Sequence, residues 1–238
     1  MTQRAEARLA GFAYLSYIVF TMSSTMTYGR AIAGDGVAQQ LSSLSHMIFQ
    51  ARITVLLDLL QVVSALVLAV TLYRLTKVVD PTLALLAMLF RVGEGLLGSL
   101  SILDKVQLMH LATVVTGNTT DAAGARLLGN YILNRPDELF SEFCFVIGGF
   151  IFAWLFLRGR LIPSLLAWIG VVSIGVQIVC VSLNIAGFMS VSVVNLIWLL
   201  IMTYEIPLGL WLIVKGVKTS KYDNNGLQAA GGLLKPSF

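Results

Sequence analysis

Phe90-Arg91-Val92-Gly93-Glu94-Gly95-Leu96-Leu97-Gly98-Ser99 places an arginine and a glutamate in the middle of what otherwise reads as lipid-soluble helix. An ionisable group at the centre of a bilayer costs at least ~2.5–3.5 kcal/mol on insertion scales, so a chain that keeps two of them there keeps them for a reason. The rest of the sequence is read outward from that pair, as enclosing or answering it.

The surroundings set the class. With 57% hydrophobic residues, only 12% charged ones and a mean hydropathy of +0.85, the chain of 238 residues lies far from the usage of soluble domains, where about a quarter of residues are charged. This is an integral membrane protein, and at roughly 20 apolar residues per spanning helix its length bounds it to a single bundle. The net charge of +4 does not point to nucleic acid, because the basic residues are scattered at helix ends rather than gathered in a patch. Cys144 and Cys180 both fall inside apolar segments without metal-ligand spacing and read as inert buried thiols.

Hydropathy and breakers divide the chain into six spans at about 9–28, 53–73, 82–103, 138–157, 163–188 and 193–214. The expectation is an all-α polytopic helix bundle, one domain over 1–218, with a flexible tail over 219–238. The first apolar run exceeds a signal-peptide core, so it is read as a retained helix. Asp80-Pro81 is a turn and helix start, and the third span has the composition to continue toward Val115. Residues 30–51 and 104–136 read as long connections, the second carrying Asn118-Thr119-Thr120, a glycosylation sequon in a host that glycosylates. Arg4, Arg8, Arg74, Lys77, Arg158, Arg160, Lys215, Lys218 and Lys221 flank alternate span ends. Both termini are therefore expected in the cytoplasm, with the two long connections outside. Trp154, Trp168 and Trp211 lie where an aromatic belt anchors a span.

Helical periodicity then assigns faces. Arg91, Glu94, Gly98, Ser101 and Lys105 share one stripe of the third span; Thr54, Asp58 and Gln61 share one on the second; Glu142, Phe145 and Gly149 one on the fourth. Ser173, Gln177, Cys180 and Asn184 line the fifth, and Trp198, Met202, Glu205 and Gly209 the sixth, while Tyr17, Thr21, Ser24 and Tyr28 line the first. Small and hydroxyl residues in such stripes are the ordinary glue of membrane helices. Charges differ. At 1.5 Å per residue, Arg91 and Glu205 fall near the midplane, and Glu94, Asp58 and Glu142 progressively toward the outer face. If the stripes converge, four carboxylates face one arginine, and such a group cannot all ionise without a proton or a cationic ligand. Arg52, at the outer start of the second span, can turn inward and reduce the imbalance. Pro207 frees the Thr203 carbonyl and bends the last span near Glu205. The candidate site is thus Asp58, Arg91, Glu94, Glu205, Glu142 and Arg52, with Gln61, Gln177 and Asn184 in support. The purely structural alternative is a salt-bridge network that fixes helix register.

His46 and His110 lie in the outer connections, without HExxH or comparable spacing, so no metal site is expected. No phosphate loop and no GxSxG elbow occurs, and Gly93-x-Gly95 within a helix is packing.

Ala7-Arg8-Leu9-Ala10-Gly11, Leu72-Tyr73-Arg74-Leu75, Phe90-Arg91, Leu157-Arg158 through Ile162-Pro163, and Glu205 followed by Leu210-Trp211-Leu212-Ile213-Val214-Lys215-Gly216 form an ordered set. Together they resemble a bacterial six-helix membrane family catalogued as domain of unknown function four-three-eight-six, over nearly the whole chain up to Gly216. The resemblance implies six helices in a bacterial inner membrane. It marks Arg52, Arg91, Glu205 and the Pro163 turn as pattern positions. The chain departs from that pattern in the fourth span, where Glu138 and Glu142 replace a more neutral stretch. It implies no activity and no cofactor.

Two kinds of function fit such a site. A binding or transport protein would use the carboxylates for a small molecule or cation, with Arg91 as exchangeable counter-ion. An intramembrane enzyme on a lipid or prenyl-like substrate would use a protonated carboxyl of Asp58, Glu94 or Glu205 as general acid. The first is favoured, because no nucleophile or metal signature is present, although no inverted repeat relates the two halves.

Overall fold

Residues 2–116, 122–135 and 138–218 are described by a computed structural model of the chain. Every regular element among them is an α-helix. In order these are α1 (Gln3–Ala31), α2 (Val37–His46), α3 (Ile48–Thr76), α4 (Pro81–Thr116), α5 (Ala122–Asn134), α6 (Glu138–Arg158), α7 (Ser164–Ile185) and α8 (Val191–Val214). The sequon at 118–120, Lys221 and the tail over 219–238 lie outside the described residues.

Six helices, α1, α3, α4, α6, α7 and α8, carry stretches long and apolar enough to cross a membrane. On α3 the outward face is bare hydrocarbon, with Leu56, Leu59, Leu60 and Val63 all exposed, as suits a surface solvated by lipid tails. The helices outrun the apolar spans. α1 begins at Gln3 instead of near Leu9, and α4 continues to Thr116. Hydropathy marks where hydrocarbon ends; the backbone hydrogen-bond ladder continues as long as nothing interrupts it.

Both long connections hold a further helix. α2 was masked by its Gln and Ser content, but Leu41 and Leu44 are buried, and on α5 so are Ala125, Gly129 and Ile132. The two helices pack together: a Cβ on Gly129 would come within 3.0 Å of a Leu41 methyl carbon.

The chain divides into two compact units. Unit 1 gathers Met1–Leu15, Leu66–Glu94 and Glu142–Phe238, as far as it is described, and unit 2 gathers Ser16–Ala65 and Gly95–Ser141. In unit 1 the buried core is aliphatic and aromatic, with Leu68, Leu72, Phe152, Phe156, Ile201, Tyr204 and Leu212. In unit 2 the core is built on Ala31, Leu41, Leu44, Ala51, Leu108, Ala112 and Ile132.

Helix ends in unit 1 follow their local chemistry. The Asp80 carboxylate accepts the Leu83 N–H at 3.1 Å, satisfying one of the orphan donors at the start of α4, while Pro81 needs no donor there. α6 and α7 form a tight hairpin, closed by the Leu161 N–H donating to the Phe156 carbonyl at 3.1 Å, with Arg160 in the left-handed region at φ 51°. Pro163 then precedes α7, as expected. After α7 the Asn184 amide donates to the Met189 carbonyl at 2.8 Å, so this candidate closes the turn into α8.

Candidate functional site

Unit 1 holds Arg91 and Glu94. Arg91 Nη1 lies 2.8 Å from Glu94 Oε2, one helical turn away on α4. Both side chains are buried, Arg91 at 2% exposure and Glu94 at 5%. The arginine stem lies across Gly148 of α6, where an added Cβ would approach Arg91 Cγ to 3.0 Å and the Ala87 carbonyl oxygen to the same distance. Glycine there lets α4 and α6 meet closely over a residue as long as arginine, and a larger residue would push them apart. The guanidinium carbon sits 4.5 Å from the Phe145 ring centroid, a cation–π arrangement that offsets part of its desolvation. Phe145 in turn meets Trp198 of α8 at 5.1 Å between ring centroids, tilted by 57°.

Glu205, exposed by only 2%, enters from α8. Its Oε1 accepts the Tyr14 hydroxyl at 3.1 Å. α1 and α8 come this close because glycine faces glycine: a Cβ on Gly11 would stand 2.6 Å from the Gly209 carbonyl oxygen. Tyr14 and Glu205 lie one turn along from that contact. Glu205 lies within electrostatic range of both Arg91 and Glu94.

Gln177 of α7 is the other buried polar side chain of unit 1 named above as a candidate. It is 0% exposed, and neither its Oε1 nor its Nε2 has a hydrogen-bond partner among the described residues. A Cβ on Gly149 of α6 would stand 3.5 Å from the Ile174 side chain. Carried one turn further from the hairpin, this register sets Gln177 of α7 level with Phe145 of α6.

Asp58 belongs to unit 2 and has its own partners. Lys105 Nζ donates to Asp58 Oδ2 at 2.6 Å and to Ser24 Oγ at 3.2 Å, and the Ser24 hydroxyl donates to Asp58 Oδ1 at 2.5 Å. The ammonium also stands 4.7 Å from the Tyr28 ring centroid. Close by in sequence, Asp104 pairs with Arg135 at 2.6 Å. The expectation of four carboxylates answered by one arginine is thereby corrected: Asp58 has its own cation, because the α4 stripe that carries Arg91 ends on Lys105. Of the remaining candidates, Arg52 is exposed and does not turn inward, and Gln61 and Glu142 are half-buried. His46 and His110 are exposed, and among the described residues no group of three His, Cys, Asp or Glu side chains is placed to hold a metal ion.

Sequence reasoning missed Tyr14, Trp198 as a ring partner and Lys105 as the answer to Asp58. A signal for Tyr14 existed in the spacing Gly11-x-x-Tyr14 against Glu205-x-x-x-Gly209, a small residue and a polar one a turn apart on both helices.

No curated protein and no solved structure matches the chain. A family model described as a domain of unknown function, DUF4386, matches residues 9–216, nearly the whole of the described chain, and the protein belongs to that family.

Proposed function

We propose that this is a bacterial inner-membrane protein with both termini in the cytoplasm, and that it binds or transports a small molecule, cationic in preference, at the Arg91–Glu94–Glu205 cluster of unit 1. The observation that carries the reading is Gln177. A fully buried amide without a partner among the described residues costs roughly 1–3 kcal/mol for each unmet group, and a helix face that required only packing would hold leucine there at lower cost. Such a group is retained where a ligand or ordered water takes up its donors and acceptor. Glu94 and Glu205, two carboxylates buried in the same unit as Arg91, favour a positive charge in that ligand. Phe145 and Trp198 supply the apolar wall that small-molecule sites share. The placement of basic residues at alternate span ends supports the orientation.

The experiment is mass spectrometry of small molecules that co-purify with the protein, followed by thermal unfolding with the recovered compound and with choline and putrescine as probes. Glu205→Gln and Arg91→Ala are expected to fold and to lose the ligand-dependent rise in Tm. If both variants fail to insert, or no compound stabilises the wild type, the cluster is a register-fixing network and the proposal fails.

A further inference from the structure

At the end of unit 1 where α1 starts and α8 stops there is a cavity of about 410 Å³, lined by Gln3, Arg4, Val214, Lys215, Gly216 and Val217. We propose that it binds a phosphate-bearing anion, and that the source is the headgroup of an anionic lipid. The site shares no residue with the Arg91 cluster and stands or falls independently of it.

Charge is the first argument. The carboxylates near this end, among the described residues, are already used, Glu6 by Arg74 and Asp80 by Arg158. Among the described residues no carboxylate pairs with Arg4, Arg8, Lys215 or Lys218. Two of these cations, Arg4 of α1 and Lys215 just after α8, line the cavity. The first N–H groups of α1 add positive partial charge on the same side. The carbonyl end of α8 carries the opposite partial charge, but its Trp211 carbonyl is taken up by the Lys215 and Gly216 N–H groups, at 2.8 and 3.1 Å.

The cavity is also held open by the backbone. Gly216 turns the chain in the left-handed region at φ 73°, and the Lys218 N–H donates to the Leu161 carbonyl at 2.9 Å, tying the segment after α8 to the α6–α7 hairpin. The wall formed by residues 214–217 is therefore fixed before any ligand arrives. Its volume falls within the ~300–1,000 Å³ of small-ligand sites.

Position argues for a lipid over a free anion. Arg4 precedes the apolar run that begins at Leu9, and Lys215 directly follows the one that ends at Val214, so both side chains lie at the border where lipid phosphates stand. Val214, exposed by 61%, and Val217 give the site an apolar lip beside its two cations. A headgroup with an attached acyl chain matches both features; inorganic phosphate matches only the cations.

The test uses the purified full-length chain, stripped of lipid in detergent, with phosphatidylglycerol, phosphatidylcholine and inorganic phosphate added separately at matched ionic strength. Binding is read by native mass spectrometry and by Tm. Phosphatidylglycerol is expected to remain bound and raise Tm where phosphatidylcholine does not. Arg4→Ala/Lys215→Ala is expected to weaken phosphatidylglycerol binding by roughly 30-fold, since one surface cation supplies roughly a factor of five on an anionic surface. Both residues are exposed, so circular dichroism should show this variant fully folded. A comparison variant, Lys77→Ala/Arg160→Ala, removes the same charge away from the cavity and is expected to change binding less than threefold, roughly the share of a diffuse field. Equal binding of the two lipids, or equal losses in both double variants, overturns the site. Stabilisation by inorganic phosphate to the same extent as by phosphatidylglycerol overturns the lipid as its source.

Discussion

Replacing Lys105 by methionine tests the correction to the charge inventory most sharply. The substitution keeps the length and apolar volume of the stem and removes only the ammonium. What remains is Asp58, exposed by 7%, with the Ser24 hydroxyl as its sole hydrogen-bond donor among the described residues. At 2.6 Å the gross attraction is about 6 kcal/mol at an effective dielectric constant of about 20. Desolvation of both partners consumes much of it, yet removing one partner of a buried pair still costs about 3–5 kcal/mol, because the other charge is left behind. The Lys105 side chain is 15% exposed and Ser24 keeps its bond, so a value of about 3 kcal/mol is expected. Asp58→Asn combined with Lys105→Met removes both charges and should recover all but about 1 kcal/mol of that loss. The assay is equilibrium unfolding in detergent followed by circular dichroism, run on the full double-mutant cycle. If Lys105→Met lies within about 1 kcal/mol of wild type, or the double variant is no more stable than the single, Asp58 does not depend on Lys105 and the division of charges between the units is wrong.

Three further outcomes follow from individual contacts. Gly11→Val should cost about 1–3 kcal/mol by overpacking, since its Cβ would meet the Gly209 carbonyl at 2.6 Å; unfolding stability checks it. Tyr14→Phe leaves the ring in place and strips Glu205 of the Tyr14 bond, and should lower stability by about 1–3 kcal/mol in the same measurement. Arg74→Ala should change stability by less than about 1 kcal/mol, because the Arg74 side chain in its pair with Glu6 is 45% exposed.

Much of this architecture was readable from hydropathy. Apolar runs have to be helices in lipid, since every backbone group must be satisfied within its own segment; hence the all-α class and the six helices apolar enough to span a membrane. Helix faces were readable as well: Arg91, Glu94 and Lys105 do lie on one stripe. The Arg91–Glu94 pair follows from that stripe, but partners on neighbouring helices were not readable. Which residue on a neighbouring helix meets a given charge depends on the register between helices, and that register is set by single close approaches such as Gly11 with Gly209 and Gly148 with Ala87. One turn of slip moves a contact by about 5.4 Å, enough to exchange one carboxylate for another. Lys105 was placed on that stripe but left out of the charge count, because it falls past the apolar part of the span. In the fold its flexible stem reaches Asp58 and Ser24. α2 and α5 were hidden for a different reason, since ten and thirteen residues that alternate an apolar and a polar face are marked by periodicity, not by the continuous apolar run that marks a span.

Whether the buried cluster of unit 1 serves a ligand is read directly by Gln177→Leu. The variant removes an amide with no partner among the described residues and keeps a side chain of similar bulk. Measured alongside the wild type by thermal unfolding, with and without the compound that co-purifies, it is expected to be at least as stable as the wild type in the empty state and to lose the ligand-dependent rise in Tm. A Gln177→Leu protein that is less stable when empty, yet keeps the full ligand response, would contradict the site.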